Sequence, residues 1–292
     1  MNLIFIHGRA QQGKDPKKLK KLWIDTLIKG LEKSNLSLPI QENQIYFPFY
    51  GDSLNDLIFK RNRPIEEIVK KGGEAHSKDD EFFHDFLMEV SKNANITTSE
   101  IEEEQINNIK EKGPLNWEWV QVILRTLDKR TKWSVKSLKK FTYDVYVYLT
   151  QENIKESINN LVLKDIDPSE PCVVVGHSLG SIVGYNILRD HSDLNVCKYI
   201  TVGSPLGLKS VKKYLKTPIK MPDCVQDGWY NAYDDRDVVA LNPLDKRSFN
   251  ITPTITNKKD VLNQTKNRHG IVGYLNDKSV AKEIYDALTK EY

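Results

Sequence analysis

The chain has little cysteine, little methionine and no long apolar run, and each shortage excludes something. Three cysteines in 292 residues, Cys172, Cys197 and Cys224, exclude a disulfide framework and suit a reducing compartment. No stretch approaches the roughly 18 consecutive apolar residues of a transmembrane helix. The opening Met1–Ile6 run meets His7, Gly8 and Arg9 at once, without the basic start, longer apolar core and small-residue cleavage site of a secretory leader. The expectation is a soluble, cytoplasmic protein with no membrane span. An excess of one charge is missing too: 43 basic and 40 acidic side chains leave +3, too even for a dedicated nucleic-acid binder. No cysteine or histidine cluster has metal-ligand spacing, and Glu81, His84 and Asp85 share their segment with phenylalanines that point to packing. Gly8, Gly13 and Lys14 fall short of a phosphate-cradling loop, because Asp15 stands where Ser or Thr would hold Mg²⁺. Neither a metal nor a cofactor is expected.

Enough apolar residues are present, 39%, to build a core. Leu3–Ile6 reads as a buried strand. Asp15–Pro16 reads as a cap and first turn, followed by Leu19, Leu22, Trp23, Leu27 and Leu31 at helical spacing, so a helix is expected over about 16–33. Pro39–Phe49 reads as a second strand with its exit loop. Residues 51–150 change character: rich in Glu, Lys and Asn, they show helical stripes at Val120, Ile123, Leu124 and Leu127 and at Phe82, Phe83, Phe86 and Leu87, with breaks expected at Gly72–Gly73 and Gly113–Pro114. The alternation then resumes. Ile154–Val162 marks a helix, Pro171–Val175 a central parallel strand, Ser178–Arg189 a helix, Cys197–Val202 and Trp229–Tyr233 strands, and Ser279–Thr289 a final helix. The organisation expected is an α/β core from 1–50 and 151–292, a mostly parallel sheet with helices on both faces, interrupted by a helical insertion over 51–150 that could cap a site.

Gly176–His177–Ser178–Leu179–Gly180 matches G-x-S-x-G, with an apolar strand running into it and a helix leaving it. At such a corner the glycines avoid a Cβ clash, the serine hydroxyl stands clear of the sheet, and the helix N-terminus favours developing negative charge. A serine hydroxyl needs a base. Six histidines are available: His7, His76, His84, His177, His191 and His269. In this strand–turn–helix setting the chain order is serine, acid, histidine. Only His191 and His269 follow Ser178, and His191 precedes every acid loop, which leaves His269. The acid should follow a strand between them, where Asp234, Asp235 and Asp237 compete. Asp237 precedes the apolar pair Val238–Val239, as the acid does in many members of the family that the chain resembles, and on that resemblance it is preferred; the other two would cap the turn or pair with Arg236. Two backbone donors should serve an oxyanion: the N–H of Leu179, and the N–H of Arg9 after the His7–Gly8 strand end. The Arg9 side chain would form a salt bridge to a neighbouring loop or bind an anionic substrate.

On His7–Gly8, the G-H-S-L-G elbow, Asp237 and His269, and on Val202–Gly203–Ser204–Pro205–Leu206–Gly207 after the next strand, the chain resembles the α/β-hydrolases of the serine esterase and lipase type. The resemblance covers 1–50 and 151–292 and not 51–150. It implies hydrolysis of a small-molecule or lipid acyl ester through Ser178, His269 and Asp237. A thioesterase, amidase or acyltransferase would use the same residues, and a binding or scaffold protein can also stand on this fold. The insertion lies before the nucleophile, whereas lids in many lipases follow a later strand. Tyr46–Phe49, Trp117, Trp119 and Trp133 are expected in the core or along an apolar pocket.

Overall fold

Side chains alternate across a strand, so Leu3 and Phe5 face one side of the first strand while Ile4 and Ile6 face the other. Both sides are apolar, so both need cover. The computed structural model, which describes residues 1–60, 78–108 and 117–291, shows how that cover is supplied. The first part of the chain forms β1 (Asn2–Ile6), α1 (Pro16–Glu32), β2 (Ile45–Tyr46), α2 (Gly51–Lys60), α3 (Lys78–Asn93), α4 (Thr98–Asn108), α5 (Trp117–Arg130), α6 (Val135–Thr150) and α7 (Glu152–Leu163). The second part forms β3 (Cys172–His177), α8 (Leu179–Asp190), β4 (Val196–Val202), α9 (Lys209–Lys212), β5 (Trp229–Ala232), β6 (Thr256–Lys258), α10 (Ile271–Leu275) and α11 (Lys278–Thr289). All six strands are parallel, in the order β2-β1-β3-β4-β5-β6. This is an α/β fold with helices on both faces of the sheet. Leu3, Phe5, Val173 and Val175 pack with Trp23, Leu27 and Ile284 of α1 and α11. Ile4, Ile6 and Val174 pack with Ile182 of α8, and the same apolar cluster runs on into α3, α5 and α6.

The local signals explain the main elements. Asp15 caps α1, accepting from the N–H groups of Lys17 and Lys18, with proline in the first turn. Every described element between 51 and 150 is a helix, and the Phe82 and Val120 stripes are buried. Gly72–Gly73, Gly113–Pro114 and His76 lie outside the described residues, as do the side chains of Trp117 and Trp119. Among the described residues no helix is long and apolar enough to cross a membrane.

Three elements differ from expectation. The second strand is only two residues long, because Glu42–Gln44 winds into a 3-10 turn in which the Gln41 N–H donates to Gln44 Oε1 at 2.9 Å. The Thr256–Lys258 strand has no apolar pattern. It pairs with β5 at the sheet edge, and its Asn257 amide ties it to the preceding loop, bonding both the N–H and the carbonyl of Leu244 at 2.9 Å. The five-residue α10 is too short to leave a periodic stripe.

Candidate active site

From β1 the chain crosses through α1 to β2 on one side, and from β3 through α8 to β4 on the other. The direction of winding therefore reverses between β1 and β3. Such a reversal leaves a crevice beyond the carboxyl ends of the two strands. Ile6 pairs with Gly176, so the two strands end level there. His7–Gly8–Arg9 leaves one end and Ser178 the other.

Ser178 has φ 57° and ψ −127°, a region that non-glycine residues avoid and that is held here from all sides. Its N–H donates to the Val202 carbonyl at 3.2 Å, and its own carbonyl accepts from the Ser181 N–H at 2.9 Å. The glycines permit the close approach. A Cβ on Gly180 would fall on the Ile6 carbonyl, and one on Gly8 would stand 2.8 Å from Ser178 Cβ. Leu179 opens α8, so its N–H has no intrahelical acceptor.

His269 Nε2 lies 2.7 Å from Ser178 Oγ, and His269 Nδ1 lies 2.6 Å from Asp237 Oδ2. Of the three competing aspartates, Asp237 is therefore the one beside the imidazole. Asp234, also buried, closes the loop: it accepts from the backbone N–H and guanidinium of Arg236 and, at 2.7 Å, from the Asn263 N–H. Asp235 is exposed, 3.5 Å from Arg236. His191 sits past the far end of α8 from Ser178, about 18 Å along a 12-residue helix.

Two further histidines are buried around the site in fixed tautomers. The Tyr50 N–H donates to His7 Nε2 at 3.1 Å, so His7 carries its proton on Nδ1 and donates to the Gly8 carbonyl at 2.6 Å. The trans peptide then turns the Arg9 N–H away from His7. His177 Nε2 donates to the His269 carbonyl at 2.8 Å, tying the end of β3 to the loop of His269. Burial pushes the pKa of His7 down to about 4 and that of His177 down to about 3, the latter with a smaller contribution from the neighbouring His269.

Sequence reasoning missed Tyr274. Its hydroxyl is 2.6 Å from Asp237 Oδ2, and since a carboxylate only accepts, the phenol is the donor. Burial and the adjacent Asp237 raise the Tyr274 pKa well above its ordinary value, so the donor stays protonated. Tyr274 lies in α10, which leaves no signal in the sequence.

The residues of 51–150 reach the site. Trp133, between α5 and α6, has its ring 5.3 Å from that of His269, and Phe141 of α6 stands edge-on at 5.6 Å. Ser178, Asp237 and His269 are 1%, 0% and 6% exposed beneath this cover. The Arg9 side chain pairs with Asp144 of α6 at 2.6 Å, on a helix and not on the neighbouring loop expected from sequence. Phe47 stacks on His7, as packing. Glu81 and Asp85 hold Lys213, at 3.0 and 2.7 Å. Among the described residues, a cavity of about 70 Å³ lies at Gly8, Arg9 and Tyr50, and another of about 330 Å³ at Trp133 and Arg268.

No family model matches the chain, and neither does any curated protein or solved structure.

Proposed function

We propose that the chain is a serine hydrolase of the α/β-hydrolase kind, cleaving a carboxylic ester through an acyl-enzyme. The observation that carries this reading is the continuous hydrogen-bond chain from Ser178 Oγ through both nitrogens of His269 to Asp237, closed on a serine with strained backbone. Ser178 Oγ attacks the ester carbonyl while His269 Nε2 takes its proton. Asp237 keeps the proton of the ring on Nδ1, so that Nε2 is free to accept. The tetrahedral oxyanion turns towards the Arg9 and Leu179 N–H groups. Its collapse breaks the bond to the alcohol oxygen, which leaves with the proton from His269. Water, deprotonated by the same nitrogen, then releases the acid and restores the serine.

The test is twofold. A fluorophosphonate probe should label the parent chain on Ser178, and Ser178→Ala should abolish both labelling and turnover of a short p-nitrophenyl ester while its melting curve stays cooperative. An alanine variant as active as the parent would refute the reading.

A further inference from the structure

The hydrolytic reading, on which this inference rests, fixes the side on which a leaving group must lie. His269 Nε2 returns its proton to the departing oxygen, so that oxygen stands on the His269 side of Ser178, opposite the backbone donors. A groove of about 330 Å³ is walled by the chain neighbours of Asp237 and His269, Val238 and Arg268 among them, and by the turn between α5 and α6, whose Trp133 covers the His269 ring.

Four cations line it: Arg130, Lys132, Arg236 and Arg268, with Asp235 the acid among them. They are not equally committed. Arg236 is held by Asp234 at 2.9 Å, and Arg130 lies 3.4 Å from Glu100. Lys132 has no acidic partner among the described residues. Arg268 spends Nη1 on the Asn263 carbonyl at 3.0 Å and has no carboxylate partner among the described residues. With Asp234 set against Arg236, Glu100 against Arg130 and Asp235 left in the groove, one net positive charge remains, shared by Lys132 and Arg268. Trp133, a wall of the same groove, adds an independent observation: it is 4% exposed, and its indole N–H is buried with no acceptor among the described residues. Buried donors are nearly always paired, and an orphan next to a catalytic ring calls for an acceptor that arrives with the substrate.

We propose that this groove binds an anionic group, carboxylate or phosphate, carried on the leaving alcohol, with Lys132 and Arg268 as its charge partners and Trp133 as a further donor in its wall. The acyl part then lies on the smaller side, by Gly8 and Tyr50.

Three acetate esters test this on the full chain: those of 4-hydroxybenzoate, of 4-hydroxyphenyl phosphate and of the neutral 4-hydroxybenzamide. Each kcat/KM is divided by the rate of that ester's own hydroxide-catalysed hydrolysis. At low salt one or both charged esters should exceed the amide by about tenfold, and which one does identifies the anion. The ratio should fall towards one in Lys132→Gln and in salt of about 0.5 M. A ratio near one in the parent, or one unmoved by Lys132→Gln, overturns the proposal. Binding is measured separately in Ser178→Ala by calorimetric titration with the three product alcohols. Equal binding of charged and neutral alcohols overturns the groove even where ester cleavage stands. Absence of fluorophosphonate labelling with charge-selective binding intact overturns the hydrolase and leaves the groove.

Discussion

Asp237 Oδ2 accepts from two donors, the imidazole of His269 and the phenol of Tyr274, while Oδ1 is buried with no partner. The phenol therefore does something the imidazole cannot: it pins one oxygen of the carboxylate from a second direction and stops the group from turning to offer Oδ1. Gly203, at φ 58°, makes room for this ring, since a Cβ there would meet Tyr274 Cε2 at 2.9 Å. Tyr274 lines neither cavity beside the crevice, so its loss should act on the chemical step and not on substrate binding. Tyr274→Phe is expected to lower kcat for a short ester about tenfold with KM little changed, and to cost about 2 kcal/mol of stability for two lost hydrogen bonds, one to Asp237 and one from the Asp234 N–H. Steady-state kinetics beside urea unfolding separates the two effects. An unchanged kcat would mean that packing alone orients Asp237.

At the scale of elements, the question is what couples the helices of 51–150 to the crevice. Arg9, at the exit of β1, and Asp144, on α6, form an ion pair that is 10% and 4% exposed. Burial raises the Asp144 pKa despite Arg9, so this acid can take up a proton if its partner is removed, whereas a guanidinium cannot lose one. The two single substitutions should therefore differ. Asp144→Leu strands a buried cation and should cost about 3–5 kcal/mol, Arg9→Met should cost less, and the double variant should recover part of the loss. Urea unfolding of the four chains measures this, and additive losses would mean that the pair does not couple the two elements. What could be read in the sequence follows the same division by element. Helix α1 was legible because Asp15, Pro16 and the leucines agree, and β3 with α8 because an apolar run meets G-H-S-L-G. Asp237 and His269 were legible from chain order and from Val238–Val239. The β6 strand and α10 were not: one is a short polar edge strand paired on β5, the other is too short for periodicity, and Tyr274 was hidden with it. The buried stripes of α3 and α5 said that those helices pack, but a stripe does not name what it packs against. Trp133 over His269 is a contact that only the fold reveals.

For the molecule as a whole, the crevice is built around histidines that the folded state holds neutral. His7 bridges β1 to the chain entering α2, and His177 bridges β3 to the loop of His269, so protonating either one places a charge among buried groups. Both folded pKa values, about 4 and about 3, lie below the ordinary 6.5 of an unfolded chain. Between 6.5 and those values the unfolded state binds more protons, so stability falls as the pH falls. The contribution is complete above pH 6.5, and it is lost through pH 4 for His7 and pH 3 for His177. Each pH unit in the window removes about 1.4 kcal/mol per histidine, so His7 alone takes away on the order of 3 kcal/mol by pH 4. Asp144, raised by burial, works in the opposite direction and offsets a part of this. Urea unfolding at pH 7, 6, 5 and 4 should therefore show a steady loss that begins near 6.5, above the range in which ordinary carboxylates titrate. His7→Gln should be less stable at pH 7, for want of its paired hydrogen bonds, yet should fall less steeply below pH 6. A parent chain with level stability from pH 6.5 to 4.5 would show that the two imidazoles reach water and that the crevice is open in solution.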